Sequence, residues 1–161
     1  MIFVGIDPGN KGGIAIIANN GVYVFPMPTI TSKGKESLDG QRIREILSAW
    51  QEGSLVFLEK VGAMPGQGVT SMFNFGQGFG MLKGILVGLE IPYELITPQA
   101  WKKAMLAGTV KDKGAAIIKA KQLFPSVDLR PTVRCKKDSD GMAEALLLAE
   151  YARRQSLGKF S

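Results

Sequence analysis

Ile2-Phe3-Val4-Gly5-Ile6-Asp7-Pro8-Gly9-Asn10-Lys11-Gly12-Gly13-Ile14-Ala15-Ile16-Ile17 opens the chain with two apolar runs around a Gly-rich turn. That pattern predicts a β-hairpin, directly joined or with a short loop. The first run is almost continuously apolar, so its strand is expected to be buried on both faces. Asp7 stands at its end. Pro8 and Gly9 stop the strand there, which puts the carboxylate at a sheet edge or mouth. Such a group is costly to bury unless a metal ion or a basic group pairs with it. An aspartate capping its own turn suits this stretch equally well when it is taken alone.

Working outward, residues 2–8, 12–18 and 22–27 read as three short strands of an antiparallel meander, punctuated by Pro8-Gly9 and Asn19-Asn20-Gly21. Residues 29–38 are polar and rich in Gly, Ser, Thr and Lys, and are expected to form a mobile loop. Residues 39–50 predict a helix with Asp39 as N-cap and Ile43, Ile46, Leu47 and Trp50 on one face. Residues 54–59 are a short apolar run that reads as a buried strand, with Glu59 at its C-terminal end. A Gly-rich, apolar-aromatic loop is expected from 61 to 75. A helix should follow over 76–89, where Gly76, Gly80, Gly84 and Gly88 form a small-residue stripe suited to close packing on the sheet or on a second copy. Lys83 and Glu90 bracket an apolar run too short for a membrane span. Residues 93–96 read as a strand. Thr97 and Pro98 then open a helix as N-cap and first residue. Further helices are expected over 112–124 and 140–154, separated by a polar, basic loop at 126–139. Alternating strands and helices of this kind give an α/β domain with a mixed sheet.

The chain has 161 residues, 45% of them hydrophobic and 21% charged, which matches one globular domain over 1–161 with a substantial core. A single cysteine, Cys135, excludes a disulfide framework and suits a reducing, cytoplasmic setting. No basic segment precedes the first strand, so no signal peptide is expected. There is no histidine, which excludes Ser-His-Asp chemistry and His-ligated zinc and leaves Cys135 without an imidazole base. Any metal site must therefore use oxygen ligands, which favours Mg²⁺ or Mn²⁺. The formal charge of +6 is unevenly placed. Residues 1–100 hold 7 Lys and Arg against 8 Asp and Glu, whereas residues 101–161 hold 13 against 6. A basic C-terminal part predicts a polyanionic partner, nucleic acid before an anionic membrane. Lys102, Lys103, Lys111, Lys113, Lys136 and Lys137 are the candidates for phosphate contact. Such contacts make binding salt-dependent without reading sequence.

Four acids are placed unusually. Asp7 and Glu59 each end an apolar strand. Asp140 and Glu144 open the last helix four residues apart, on one face. The helix N-terminus offsets part of their mutual repulsion at Asp140. Together the four could hold a pair of Mg²⁺ ions roughly 3.5–4 Å apart, the arrangement that clamps both oxygens of a phosphodiester displacement. Singly, each has an ordinary use: Asp140 as a helix cap, Glu144 as a surface acid, Glu59 as a partner of Lys60 or Lys11. Asp138 competes with Asp140 but falls off the face shared with Glu144.

Gly5-Ile6-Asp7-Pro8-Gly9, the strand-end Glu59, Pro98-Gln99-Ala100-Trp101-Lys102 and Asp140-Gly141-Met142-Ala143-Glu144-Ala145-Leu146-Leu147 together resemble the RuvC-type Holliday-junction resolvases. These have the RNase H-like, retroviral-integrase fold, a five-stranded mixed sheet flanked by helices. The last motif is most similar to the phage, bacterial and chloroplast branch. The resemblance implies a homodimeric, Mg²⁺-dependent endonuclease with two ions per site, which nicks opposed strands of a four-way junction in recombination and repair. It implies that Asp7, Glu59, Asp140 and Glu144 are metal ligands, with Asp7 bridging both ions. It also implies that an aromatic residue after the second acid stacks on a junction base. Phe73 is that candidate here, with Met72 and Phe75 behind it, and the helix that follows would build the dimer interface. Two features depart from the family pattern. Ser139 stands where many relatives carry a basic or histidine residue, with Lys136 and Lys137 nearby and Lys137 the candidate to bind the scissile phosphate or organise water. The two helical acids are four apart rather than three.

Other readings account for less. Asp7-Pro8-Gly9 with Gly12-Gly13 also resembles the phosphate loop of actin-like ATPases, but those need a second matching half in a longer chain. A non-catalytic junction-binding protein has no use for four acids that oppose DNA. A nuclease of the same fold acting on flaps, forks or an RNA hybrid has the same sequence features.

Overall fold

The computed structural model describes residues 1–109, 112 and 114–159. Its main sheet has the order β3-β2-β1-β6-β7, built from β1 (Ile2–Asp7), β2 (Gly13–Ala18), β3 (Gly21–Pro26), β6 (Ser54–Glu59) and β7 (Tyr93–Ile96). The first three strands are the expected antiparallel meander, and β6 and β7 add in parallel. Two helices, α1 (Gly40–Ser48) and α2 (Val69–Gly88), share the apolar layer on one face of the sheet. On the other face α5 (Asp140–Ser156) lies across β1 and β2, flanked by α3 (Pro98–Met105) and α4 (Ala115–Leu123). The sheet is therefore buried on both sides, which explains why β1 and β6 are apolar at nearly every position.

Strand alternation divides the two cores. Val4, Ile6, Val56 and Leu58 pack with Ile43, Leu47, Leu82 and Leu86 on the α1/α2 side. Phe3 and Phe57 pack with Leu147, Leu148 and Trp101 on the α5 side. Asp7 and Glu59 have the parity of the second set. The pairing of Ile6 with Leu58 puts them side by side one residue on, at the C-terminal ends of adjacent parallel strands.

Helix starts follow the sequence closely. Asp39 caps α1 by accepting from the Arg42 N–H at 3.1 Å, and Thr97 caps α3 by accepting from the Ala100 N–H at 3.3 Å. Two connections differ from expectation. Residues 29–38 are not a loop but a second, two-stranded sheet, β4 (Thr29–Ser32) and β5 (Lys35–Leu38). Lys33 and Gly34 have φ of 50° and 74°, the left-handed pair that closes a two-residue hairpin. Only Leu38 of this hairpin is buried, so no alternation betrays it. The expected loop at 61–75 ends early, because α2 begins at Val69 and runs for 20 residues. Met72, Phe73 and Phe75 are thus helical. The stripe at Gly76, Gly80, Gly84 and Gly88 does not pack on the sheet, since each of these positions opens onto free space.

The approach of α5 is very close. A Cβ on Gly5 would collide with the Ala145 carbonyl oxygen and the Ala149 nitrogen, and one on Gly141 would collide with the Lys11 carbonyl oxygen. Gly5→Ala should therefore lower the unfolding free energy in urea by about 1–3 kcal/mol or more, as overpacking against backbone does. Gly62→Ala, a position with nothing nearby, should stay within about 0.5 kcal/mol of the parent.

Candidate active site

Three of the four acids meet. One carboxylate oxygen from each of Asp7, Glu59 and Glu144 lies within 4.8 Å of the other two. Asp7 and Glu59 come from the ends of β1 and β6. Glu144 comes from the second turn of α5, carried down to the sheet by the contacts at Gly5 and Gly141. Asp140 is outside this group, exposed on the first turn of α5. It does not cap that helix: Ser139 does, accepting from the Met142 N–H at 3.2 Å. Asp138 is ion-paired with Lys121 on α4.

The cluster is electrostatically strained. Burial pushes the Asp7 carboxyl up to about 8, helped by repulsion from Glu144 and Glu59 and opposed by Lys102. Burial also raises Glu59, with Glu144 adding repulsion, while a hydrogen bond from Trp101 and the charge of Lys102 pull it back. Both compensating groups come from α3. Trp101 is fully buried and donates its Nε1–H to Glu59 Oε2 at 2.7 Å. Lys102 Nζ lies 3.4 Å from Glu144 Oε1 and 5.3 Å from the centre of the Trp101 ring. Glu59 therefore pairs with neither Lys60 nor Lys11. Trp101 is a site residue that its composition alone did not single out: an apolar residue at helical spacing reads as core, and its N–H finds the acid only through the fold.

An all-carboxylate group with two members from rigid strand ends suits hard divalent ions that take oxygen ligands. The chemistry of the donor set thus fits Mg²⁺ or Mn²⁺, with Asp7, Glu59 and Glu144 as ligands and Trp101 orienting Glu59 from behind.

The other site expectations fall around this centre. Phe73 is 66% exposed, so it is not a core residue seating the chain, whereas Met72 and Phe75 are half-buried. Lys102 sits in the site itself. Lys103 is exposed on α3, and Lys136 and Lys137 are exposed in the segment before α5. Lys111 and Lys113 lie outside the described residues.

Comparison with solved structures places this architecture. Thermus thermophilus RuvC superposes with a TM-score of 0.63 at 18% identity, over 98% of this chain and 97% of that one. The fold is that of RuvC. The same RuvC in complex with a Holliday junction substrate gives a TM-score of 0.65 at 18% identity, over 98% of this chain and 96% of that one. No family model and no curated protein matches the sequence. The five-stranded sheet, with Asp7 and Glu59 at the ends of the adjacent parallel strands β1 and β6, is the frame on which these two acids meet Glu144. Among the described residues no helix is long and apolar enough to cross a membrane.

The site predicts its own stability behaviour. A carboxyl whose folded pKa is raised contributes stability below its unfolded value of 3.8, and that contribution is lost as pH rises toward about 8. In chelator, the melting temperature should therefore fall between pH 5 and pH 8. Asp7→Asn should flatten that fall and stabilise the protein at neutral pH by roughly 1–3 kcal/mol, with ~2–4 °C per kcal/mol. Added Mg²⁺ or Mn²⁺ should raise the melting temperature of the parent and not of Asp7→Asn. Trp101→Phe should weaken that metal response by roughly 10–100-fold in apparent affinity, the usual loss when a ligand's supporting hydrogen bond is removed.

Proposed function

We propose that this chain is a RuvC-like, Mg²⁺-dependent endonuclease that resolves four-way DNA junctions by paired nicks. The observation that carries the reading is the convergence of Asp7, Glu59 and Glu144 at the C-terminal ends of the two central parallel strands of a RuvC fold. The recorded complex of Thermus RuvC with a Holliday junction supports branched DNA as the substrate class. The excess of basic residues in 101–161 supports a polyanionic one.

In this reading Asp7, Glu59 and Glu144 would hold the metal ions, with Asp140 joining from the first turn of α5. Two bound Mg²⁺ ions would supply a deprotonated water and a clamp on the leaving oxygen. Trp101 holds Glu59 in one orientation, so the ligand set is formed before substrate arrives. Lys102, whose ammonium lies 3.4 Å from Glu144 Oε1, would be placed to meet a phosphate oxygen at the site. Lys103, Lys111, Lys113, Lys136 and Lys137 neutralise flanking phosphates. Phe73, exposed on the first turns of α2, stacks on an unpaired base, a contact worth ~1–3 kcal/mol. The same helix presents Val69, Gly80, Gly84 and Val87 to open space. That apolar, small-residue face would seat a second copy, placing two sites on one junction.

Cleavage of an immobile four-way junction in Mg²⁺, beside linear duplex, flap and fork, tests this reading. Paired symmetric nicks are expected, abolished in Asp7→Asn and in Glu144→Gln, with Phe73→Ala lowering junction affinity by roughly 5–100-fold. Preferential cutting of flaps or forks would keep the chemistry and change the substrate. Tight junction binding with no cleavage in Mg²⁺ or Mn²⁺ would leave a binding protein.

A further inference from the structure

Beside the acid cluster, on the α2 side, the β4–β5 hairpin, the turn after β1 and the first half of α2 enclose a groove of about 980 Å³. Its walls are tied together across long stretches of chain. Asn10 Nδ2 donates to the Glu36 carbonyl at 3.2 Å, and Lys35 Nζ donates to Asn74 Oδ1 at 2.8 Å. Leu38 of the hairpin seats on Gly78 of α2.

The lining has a definite chemistry. Lys11 and Lys35 supply two cations. Glu36 is the one acid among the lining residues, and its carboxylate already accepts from the Thr29 hydroxyl at 2.8 Å. Asparagine, glutamine and serine side chains of the hairpin and α2 supply neutral donors and acceptors. Leu38, Phe75 and Met81 supply apolar surface. Cations with neutral donors around an apolar strip match a sugar–phosphate chain with its bases, not a protein segment or a metal ion. Gly9, Asn10 and Lys11, which follow Asp7 by two to four residues, form part of the lining.

We propose that this groove binds a single-stranded segment of DNA, and that the β4–β5 hairpin is its outer wall. The proposal rests on the nuclease reading and extends it.

The test uses the full chain in an Asp7→Asn background, so that no strand is cut. Fluorescence anisotropy follows a labelled oligothymidylate and a labelled four-way junction across a salt series. Lys35→Ala and the groove-filling Ser71→Trp are compared with Lys159→Ala, an exposed lysine beyond the end of α5. Each groove variant should weaken oligothymidylate binding by roughly three- to tenfold, the size of one charge-assisted contact. Lys35→Ala should also flatten the salt slope by ~0.7, as for one single-strand phosphate. Lys159→Ala should change neither. The metal-induced rise in melting temperature, measured with Asp7 restored, should persist in both groove variants and shows that they fold. Parent-like binding by both variants would overturn the groove and leave the nuclease reading intact. Competition by thymidine monophosphate as effective as by the oligonucleotide would overturn a strand site in favour of a mononucleotide one. A parent that binds neither junction nor oligonucleotide would overturn the nuclease reading, and the groove with it.

Discussion

Everything at the candidate site depends on how near α5 can come to β1. Glu144 is borne by a helix, Asp7 and Glu59 by a sheet, and side chains of ordinary size between the layers would hold the acids apart. At Gly5 the helix backbone takes the place of a side chain, with the Ala145 carbonyl and the Ala149 nitrogen where a Cβ would be. At Gly141 the Lys11 carbonyl does the same. Ala145 and Ala149 keep the facing surface of the helix small. The layer is close-packed by backbone, and the carboxylates owe to it their approach to within 4.8 Å of one another. Glycine in a strand interior has an entropic cost, and here the close approach offsets it.

That spacing brings like charges together in a poorly hydrated place. The protein moderates the repulsion without removing it. Trp101 gives Glu59 one strong hydrogen bond, and Lys102 gives Glu144 a cation, both from one turn of α3. Asp7 has neither partner and is the acid pushed to about 8. A group left unsatisfied by the protein, between two that are partly satisfied, is where an external cation gains most. The strain and the proposed metal binding are one fact seen from two sides: stability lost at neutral pH is regained when a divalent ion is bound.

The β1–β2 hairpin, the two strand-end acids and the caps at Asp39 and Thr97 were legible because each is a local pattern of a few residues. Asp7 and Glu59 could be paired because both end apolar runs, and parallel neighbours align such ends. Glu144 followed from its helical spacing from Asp140. The same spacing suggested that Asp140 belongs with it; one helical turn sets it about 5.4 Å along the axis from Glu144, exposed and outside the group of three. Trp101 was read as part of a motif, not as a partner of Glu59, because 42 residues separate them and no periodicity links an indole N–H to a strand-end acid.

The hairpin at 29–38 and the early start of α2 stayed hidden for a related reason. Hydrophobic periodicity reports burial, and both segments are stabilised by something else. In β4–β5 one buried leucine and a left-handed Lys33–Gly34 turn do what an apolar face does in a core strand. In α2 apolar residues occur all round the helix, with Leu82 and Leu86 inside and Phe73 and Val87 outside, so no amphipathic stripe marks its first turns. An exposed phenylalanine and an exposed two-stranded sheet bring the chain little stability of their own. The small sheet lies beside the turn that follows Asp7, tied to it by the Asn10–Glu36 hydrogen bond, and walls a groove lined by lysines and amides. A hairpin with one buried residue, held beside the turn after Asp7, is better explained by what it holds than by what holds it.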